Sequence, residues 1–377
     1  MGAFLEKPKT EKVIDVGEGN GLRYAISSMQ GWRVEMEDAH VAKSELPSPF
    51  QDWSYFGVFD GHAGSRVSEL CATKLLDAIL DTEEFQKLNP TKELDSTLVK
   101  KGIVNGFLTF DRDLAADEKS GSTAVVAFVT PTHIILANCG DSRAILVRDN
   151  KTLLATQDHK PYNPIESQRI FDAGGQVILS RVNGSLAVSR SLGDFEYKQV
   201  VSRAATEQLV SPEPDVFIVE RKRESDQIIL LACDGIWDVF ENDTLTTYVL
   251  HRLCCLPSLA DVCSEILDTS LHKGSRDNMS VLLVALDAAP TVNPEAVRKE
   301  MELDSSLNNM IVDIINSAGE DSNLLNVDYV ASAVKNMNLP NYPPGGFNTK
   351  RAYVENFFNT HFRQNKVFAK TQLDAQS

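Results

Sequence analysis

Two apolar runs of this chain end in Asp-Gly: Asp60-Gly61 in YFGVFDGHAG and Asp234-Gly235 in QIILLACDGIWD. Both runs have the length and the β-branched and aromatic content of strands, so two strands deliver carboxylates at their ends. A third acid, Asp277 in GSRDNMSVLLVAL, stands just before a strand, and Glu37 and Asp38 come from GWRVEMEDAH. Asp141 in NCGDSRA and Asp238, four residues after Asp234, enlarge the set. A single Asp-Gly after a strand is commonly a turn, in which Asp bonds its own backbone and Gly supplies a positive φ. Many acids at strand ends also fit a cluster, although spacing alone does not show that they converge.

If they converge, oxygen ligands with no Cys and little His suit hard cations such as Mg²⁺ or Mn²⁺. Two such ions about 4 Å apart share a bridging carboxylate and water, lower the pKa of that water and make hydroxide available near neutral pH. Hydrolysis of a phosphate ester is the reaction this suits best. His62, two residues after Asp60, could protonate the leaving oxygen, and Arg33 could hold phosphate oxygens through its planar fork. The plainer alternatives are a turn histidine bonded to a backbone carbonyl, and a surface ion pair of Arg33 with Glu35 or Glu37.

These side chains need elements to position them. WSYFGVF, TAVVAFV, HIILANC, RAILV, QIILLAC and SVLLVAL are strand-like, and TAVVAFVTPTHIILANCGDSRAILV reads as three strands in succession joined by turns. That succession predicts antiparallel hairpins. Two helices stand out. In SRVSELCATKLLDAIL, Val67, Cys71, Leu75 and Ile79 form one apolar stripe, and Thr244 to Thr269 is similarly periodic with Pro257 as an interruption. The fold class read from this is α+β, a central sandwich of two antiparallel sheets flanked by helices. Near DAAPTVNPEA the composition shifts. Asn293 can cap a helix that starts at Pro294 and ends at Gly319, and VDYVASAVKNM and KRAYVENFFNTHF follow, separated by LPNYPPGG. The predicted layout is an N-terminal segment 1–19, a catalytic body 20–288, a three-helix appendix 289–368 and a tail 369–377.

Bulk properties exclude several function classes. With 377 residues and 42% hydrophobic content the chain can bury a large core. Its formal charge of -16 argues against a nucleic-acid surface. No apolar run nears the roughly 20 residues of a membrane span, and the start MGAFLEKPKTEK lacks a secretory apolar region, so an intracellular protein is expected. Six cysteines form no C-x-x-C pair and are read as reduced thiols. HRLCC places neighbouring cysteines on different helix faces, which favours burial over zinc. Without dimerisation heptads a monomer is the simpler expectation.

At these residues the chain resembles the metal-dependent protein serine/threonine phosphatases of the type 2C class, and within them the animal alpha/beta subgroup. The resemblance covers roughly residues 20 to 286 through GLRYAISSMQGWRVEMEDAH, FGVFDGHAG, SGSTAVVAFV, NCGDSRA, DHKP, RVNGSLAVSRSLGD, LVSPEPDV, LACDGIWDV and GSRDNMSV, and the C-terminal helices with NYPPGG look like that subgroup's appendix. It implies that Asp60 bridges two Mn²⁺ or Mg²⁺ ions, that Asp234 and Asp277 bind one, and that the Gly61 carbonyl and, largely through water, Glu37 and Asp38 serve the other. It further makes Arg33 the phosphate ligand, His62 the general acid, and Asp141 and Asp238 acids of a third, weaker metal beside Thr123. Attack by the bridging hydroxide would leave no phosphoenzyme, so Cys139 and Cys233 are not nucleophiles. HKPYNPIESQRIFDAGGQVILSRVNG resembles the family's flap, with Arg181 a substrate contact.

The same resemblance implies phosphorylated proteins of kinase pathways as partners, negative regulation of their signalling, and a cytoplasmic and nuclear location. It also implies myristate on Gly2, although Glu6 stands where the acylation motif prefers Ser or Thr; one acyl chain gives only weak membrane contact. Two other readings stay open: a phosphoprotein-binding adaptor, which would need a lost metal ligand, and a two-metal phosphodiesterase or nuclease, which faces the negative charge.

Overall fold

The computed structural model describes residues 4–90, 92–114, 119–317, 325–337 and 339–374, with side chains described through residue 361. Gly2 and Gly319, the expected acylation site and helix end, lie outside the described residues. The apolar runs are strands covered on both faces. In Asp226–Ala232, Ile229 and Leu231 meet the opposite sheet while Ile228, Leu230 and Ala232 meet helices. That is why the run reads as continuous and not alternating.

One sheet orders its strands Phe4–Gly19, Leu22–Arg33, Met279–Ala285, Asp226–Ala232, Arg143–Arg148 and Lys151–Ala155; the other runs Asp215–Glu220, His133–Cys139, Ala124–Val129, Ser54–Phe59 and Ala39–Lys43. Every pairing is antiparallel. The sheets share a dry layer that includes Ile26, Phe56, Val125, Leu136, Leu146 and Leu282. Helices Arg66–Leu80 and Ser96–Asp113 cover the second sheet, and Asn242–Cys255 and Leu259–His272 cover the first. The break between the latter two holds Pro257, as expected.

Three expectations are corrected. Residues 1–19 are expected as a segment apart from the body, yet Phe4–Gly19 is a sixteen-residue strand of the first sheet, paired with Leu22–Arg33. Of the two turns in the three-strand succession, only Thr130 to Thr132 closes a hairpin. The strand ending at Cys139 and the one starting at Arg143 belong to different sheets, so residues 140–142 cross the sandwich. The last helix, Asn348–Asp374, continues into the stretch expected as a tail.

The appendix has its own core of Leu303, Leu307, Ile311, Val330, Val334, Val354 and Phe358. Its first helix is capped by Asn293, whose Oδ1 accepts from Glu295 N at 2.8 Å. A charged seam ties it to the body. Arg252, nearly fully buried, donates to Glu265 at 2.6 Å within the body and to Glu300 of the appendix at 2.8 Å, and His272 meets Glu355 at 3.1 Å. Among the described residues no helix is long and apolar enough to cross a membrane.

The flap comprises helix Pro164–Asp172 and the hairpin Val177–Ile178 with Arg181–Val182, around Ile170, Val182 and Val210. Its root is a buried ion network: Glu166 accepts from Arg190 at 2.7 Å and Arg169 at 2.6 Å, and Arg190 also reaches Asp215 at 3.0 Å. Burial alone would raise the Glu166 carboxyl, but the two arginines outweigh it and hold it at about 2. A carboxyl depressed on folding adds stability above its unfolded value, near 4.3, and that contribution is lost as pH falls toward 2. The linked amount is about 3 kcal/mol. Acid titration followed by circular dichroism should therefore show the native chain losing stability more steeply between about pH 4.5 and 2 than Glu166→Gln. Equal slopes would show that the network carries no linked protons.

Candidate metal centre

Asp60 follows strand Ser54–Phe59, and Asp234 opens the short helix Asp234–Trp237 just beyond strand Asp226–Ala232. Neither following glycine adopts a positive φ, so the plain turn reading fails at both. Each is a glycine because another segment passes too close: a Cβ on Gly61 would lie 2.4 Å from the Glu37 carbonyl oxygen, and one on Gly235 would lie 2.0 Å from that of Asn278. Those approaches press the 35–38 loop and the Asp277-Asn278 turn onto the two strand ends. Asn278 fastens the same junction. Its Oδ1 accepts from Glu37 N at 2.9 Å, and its Nδ2 donates to the carbonyls of Gln30 and Glu35 at 2.9 and 3.0 Å.

The acids converge. Burial and the charges of Asp234, Asp38, Asp141 and Asp277 push the Asp60 carboxyl well above the ordinary range. Asp234 is pushed up likewise by burial, Asp141, Asp277 and Asp238. Burial raises Asp38 to about 7 against the pull of its bond from Ser280 Oγ at 2.7 Å, and it raises Asp238 against Lys160. Glu37 Oε1 accepts from Gly64 N at 2.5 Å. Asp141, buried, pairs with Lys160 Nζ at 2.6 Å. Thr123 links this edge to the centre: its Oγ1 accepts from Asp60 N at 3.2 Å and lies 2.6 Å from Ser142 Oγ.

Arg33 enters the cluster, not the surface pair with Glu35 or Glu37. Its Nη2 donates to Asp277 Oδ2 at 2.6 Å, and its buried Nε has no partner. His62 meets a carboxylate, not a backbone carbonyl: Nε2 lies 2.7 Å from Asp194 Oδ2. Burial would lower the imidazole, yet Asp194 outweighs it and raises the proton affinity of His62. A three-stranded ribbon sets this pair. His62 registers with Gly121, which registers with Gly193, so Asp194 emerges alongside, and a Cβ on Gly121 would strike both side chains. Asp194 takes a left-handed φ of 52°, a strained backbone held by its neighbours. Arg181 is not brought in; it lies exposed in the flap and donates to the Ser185 carbonyl at 2.7 Å.

Sequence reasoning missed Asp194, Lys160, Asn278 and Ser280. Each sits inside a motif quoted above, in RSLGD, DHKP or RDNMSV, but none has a spacing that marks its role.

The cluster fits divalent cations. Ligand atoms of Asp38, Asp60 and Cys233 lie within 4.8 Å of one another, and buried Asp38 Oδ1 has no hydrogen-bond partner. Burial and nearby carboxylates push the Cys233 thiol far up, and its sulfur is engaged by Ser280 N at 3.1 Å. The available donors are therefore oxygens, which suits Mg²⁺ or Mn²⁺. So many half-buried carboxylates around one point repel one another until protons or cations join them.

Comparison with known proteins gives the same picture. Residues 22–279 match the family described as protein phosphatase 2C, and residues 280–359 match the protein serine/threonine phosphatase 2C C-terminal domain. The chain is 50% identical over 367 residues to human protein phosphatase 1A, covering 95% of each chain. To human protein phosphatase 1B it is 52% identical over 356 residues, covering 92% of this chain and 74% of the relative. A crystal structure of a phosphatase from Toxoplasma gondii superposes with a TM-score of 0.62 at 25% identity, over 74% of this chain and 96% of that one.

Proposed function

Because the chain belongs to the protein phosphatase 2C family, a family of metal-dependent serine/threonine phosphatases, we propose that it hydrolyses phosphoserine and phosphothreonine in proteins with two Mn²⁺ or Mg²⁺ ions. Asp60, Asp234, Asp277 and the Gly61 carbonyl would hold them, with Glu37 and Asp38 acting largely through water and Asp141 and Asp238 available to a third, weaker ion. When bound, the ions supply the charge that polarises the phosphate and the acidity that activates water for direct attack. The supporting observation is the convergence of half-buried acids on Asp60, with the buried oxygen Asp38 Oδ1 left unpartnered.

The chain's own residues do the rest. Arg33 offers a fork to the phosphate oxygens, charge-assisted and planar. His62, whose proton affinity Asp194 raises against the effect of burial, delivers a proton to the departing serine or threonine oxygen. Cys139 and Cys233, both fully buried, take no part. Arg181 on the flap is proposed to contact substrate.

Within this proposal the enzyme is a monomer of cytosol and nucleus that opposes protein kinases, with weak membrane contact if Gly2 carries myristate. Adding Mn²⁺ or Mg²⁺ to the chelator-stripped chain should raise its melting temperature by roughly 5 °C at a hundred times Kd, and phosphothreonine hydrolysis should appear with the same dependence on metal. Hydrolysis indifferent to chelation, with no melting shift, would overturn the reading.

A further inference from the structure

A guanidinium without a carboxylate is unexpected on a chain of formal charge -16. Arg276 is exposed, and among the described residues it forms no ion pair. It lies instead against two aromatic rings, with Cζ 5.8 Å from the Phe4 centroid and 6.0 Å from that of Trp32. Cation–π contact with the two rings holds the guanidinium near them, and its exposed N–H groups remain for a planar acceptor.

The position is specific. Trp32 precedes Arg33 in the chain, and Phe4 is the register partner of Arg33 on the neighbouring strand. Phe4 gets there because the strand is irregular: between the pairs Lys9↔Gly31 and Phe4↔Arg33, four residues of one strand lie opposite Trp32 alone on the other. Arg276 itself precedes Asp277, the carboxylate that holds Arg33. Neighbouring Cα atoms along and across strands are about 4 to 5.5 Å apart, so the Arg276 guanidinium stands on the order of 10 Å from the Arg33 backbone. An extended peptide covers that span in about three residues.

We infer that Arg276 is a specificity-determining residue that binds a second anionic group of the substrate, carboxylate or phosphate, within about three residues of the phosphorylated side chain. The inference rests on the phosphatase reading above. An acidic protein repels acidic segments, and one exposed arginine held against aromatic rings near the phosphate-binding arginine gives them a point of attachment.

The test compares kcat/KM for the metal-loaded native chain, Arg276→Gln and Arg276→Lys. The substrates are a phosphothreonine peptide with neutral flanks, the same peptide with glutamate placed in turn at each nearby position, and the same with a non-hydrolysable phosphonate there. The native chain should favour at least one anionic peptide roughly fivefold, mainly through KM, and less so at high salt. The preference should vanish in Arg276→Gln and survive in part in Arg276→Lys. Preference for phosphonate alone assigns phosphate as the anion, and a preference shared with glutamate assigns negative charge as such; both support the inference. Equal ratios in the native chain and Arg276→Gln overturn it while the phosphatase reading stands, and absence of turnover on every peptide overturns both.

Discussion

Asp60→Asn should reduce metal-dependent hydrolysis of a phosphothreonine peptide by about a thousandfold or more. Metal ions contribute several kcal/mol of transition-state charge stabilisation, and each 1.36 kcal/mol is a factor of ten in rate. Asp60 is a carboxylate on which Asp234, Asp38, Asp141 and Asp277 all press. The same crowding gives the stability change the opposite sign. A neutral isostere relieves repulsion in the metal-free protein, and the bonds of residue 60 to Thr123 run through backbone atoms, N to Thr123 Oγ1 at 3.2 Å and O from Thr123 N at 2.9 Å. The stripped variant should therefore melt no lower than the stripped native chain, while the rise caused by Mn²⁺ should largely disappear. Mn²⁺-dependent turnover within tenfold of native would show that the centre lies elsewhere.

His62→Gln should lower kcat on phosphothreonine peptides by roughly 10² to 10⁴, the usual contribution of a positioned general acid. The loss should be much smaller on p-nitrophenyl phosphate, whose leaving group needs no proton. Asp194 gives a separate handle because it is a positioning residue. Its charge and hydrogen bond overcome the burial that would otherwise lower the His62 imidazole, and Ser191 Oγ steadies the carboxylate from 2.5 Å. In Asp194→Asn burial prevails, so His62 loses its proton at lower pH and the alkaline limb of the kcat profile should move toward acid. An unmoved limb in a folded Asp194→Asn variant would mean that His62 is not the group titrating in that limb.

The outline of the body is legible in residue types. Strand-length apolar runs, acids at their ends and the C-terminal change of composition all follow from local chemistry, and the match extends to the pair of antiparallel sheets. Helix Ser96–Asp113 escaped because Gly102 and Gly106 blur its periodicity, and helix Pro164–Asp172 because Ile165 and Phe171 face solvent. The strand Phe4–Gly19 is mostly exposed and rich in charge, so it carries no core signal; its pairing with Leu22–Arg33 makes it a strand.

Residue types set which acids, which arginine and which histidine are available, because a hard-cation site needs oxygen donors and phosphate needs a cation. How they meet depends on folding. Asp194 lies 132 residues from His62 and Asp277 lies 244 from Arg33, and no local rule of spacing extends over such separations. The crossing of residues 140–142 between sheets, the close passes at Gly61 and Gly235, and the ribbon through Gly121 bring them together. A carboxylate's pKa, its partner and its charge balance depend on which distant segments fold against it, and those contacts exist only in the packed chain.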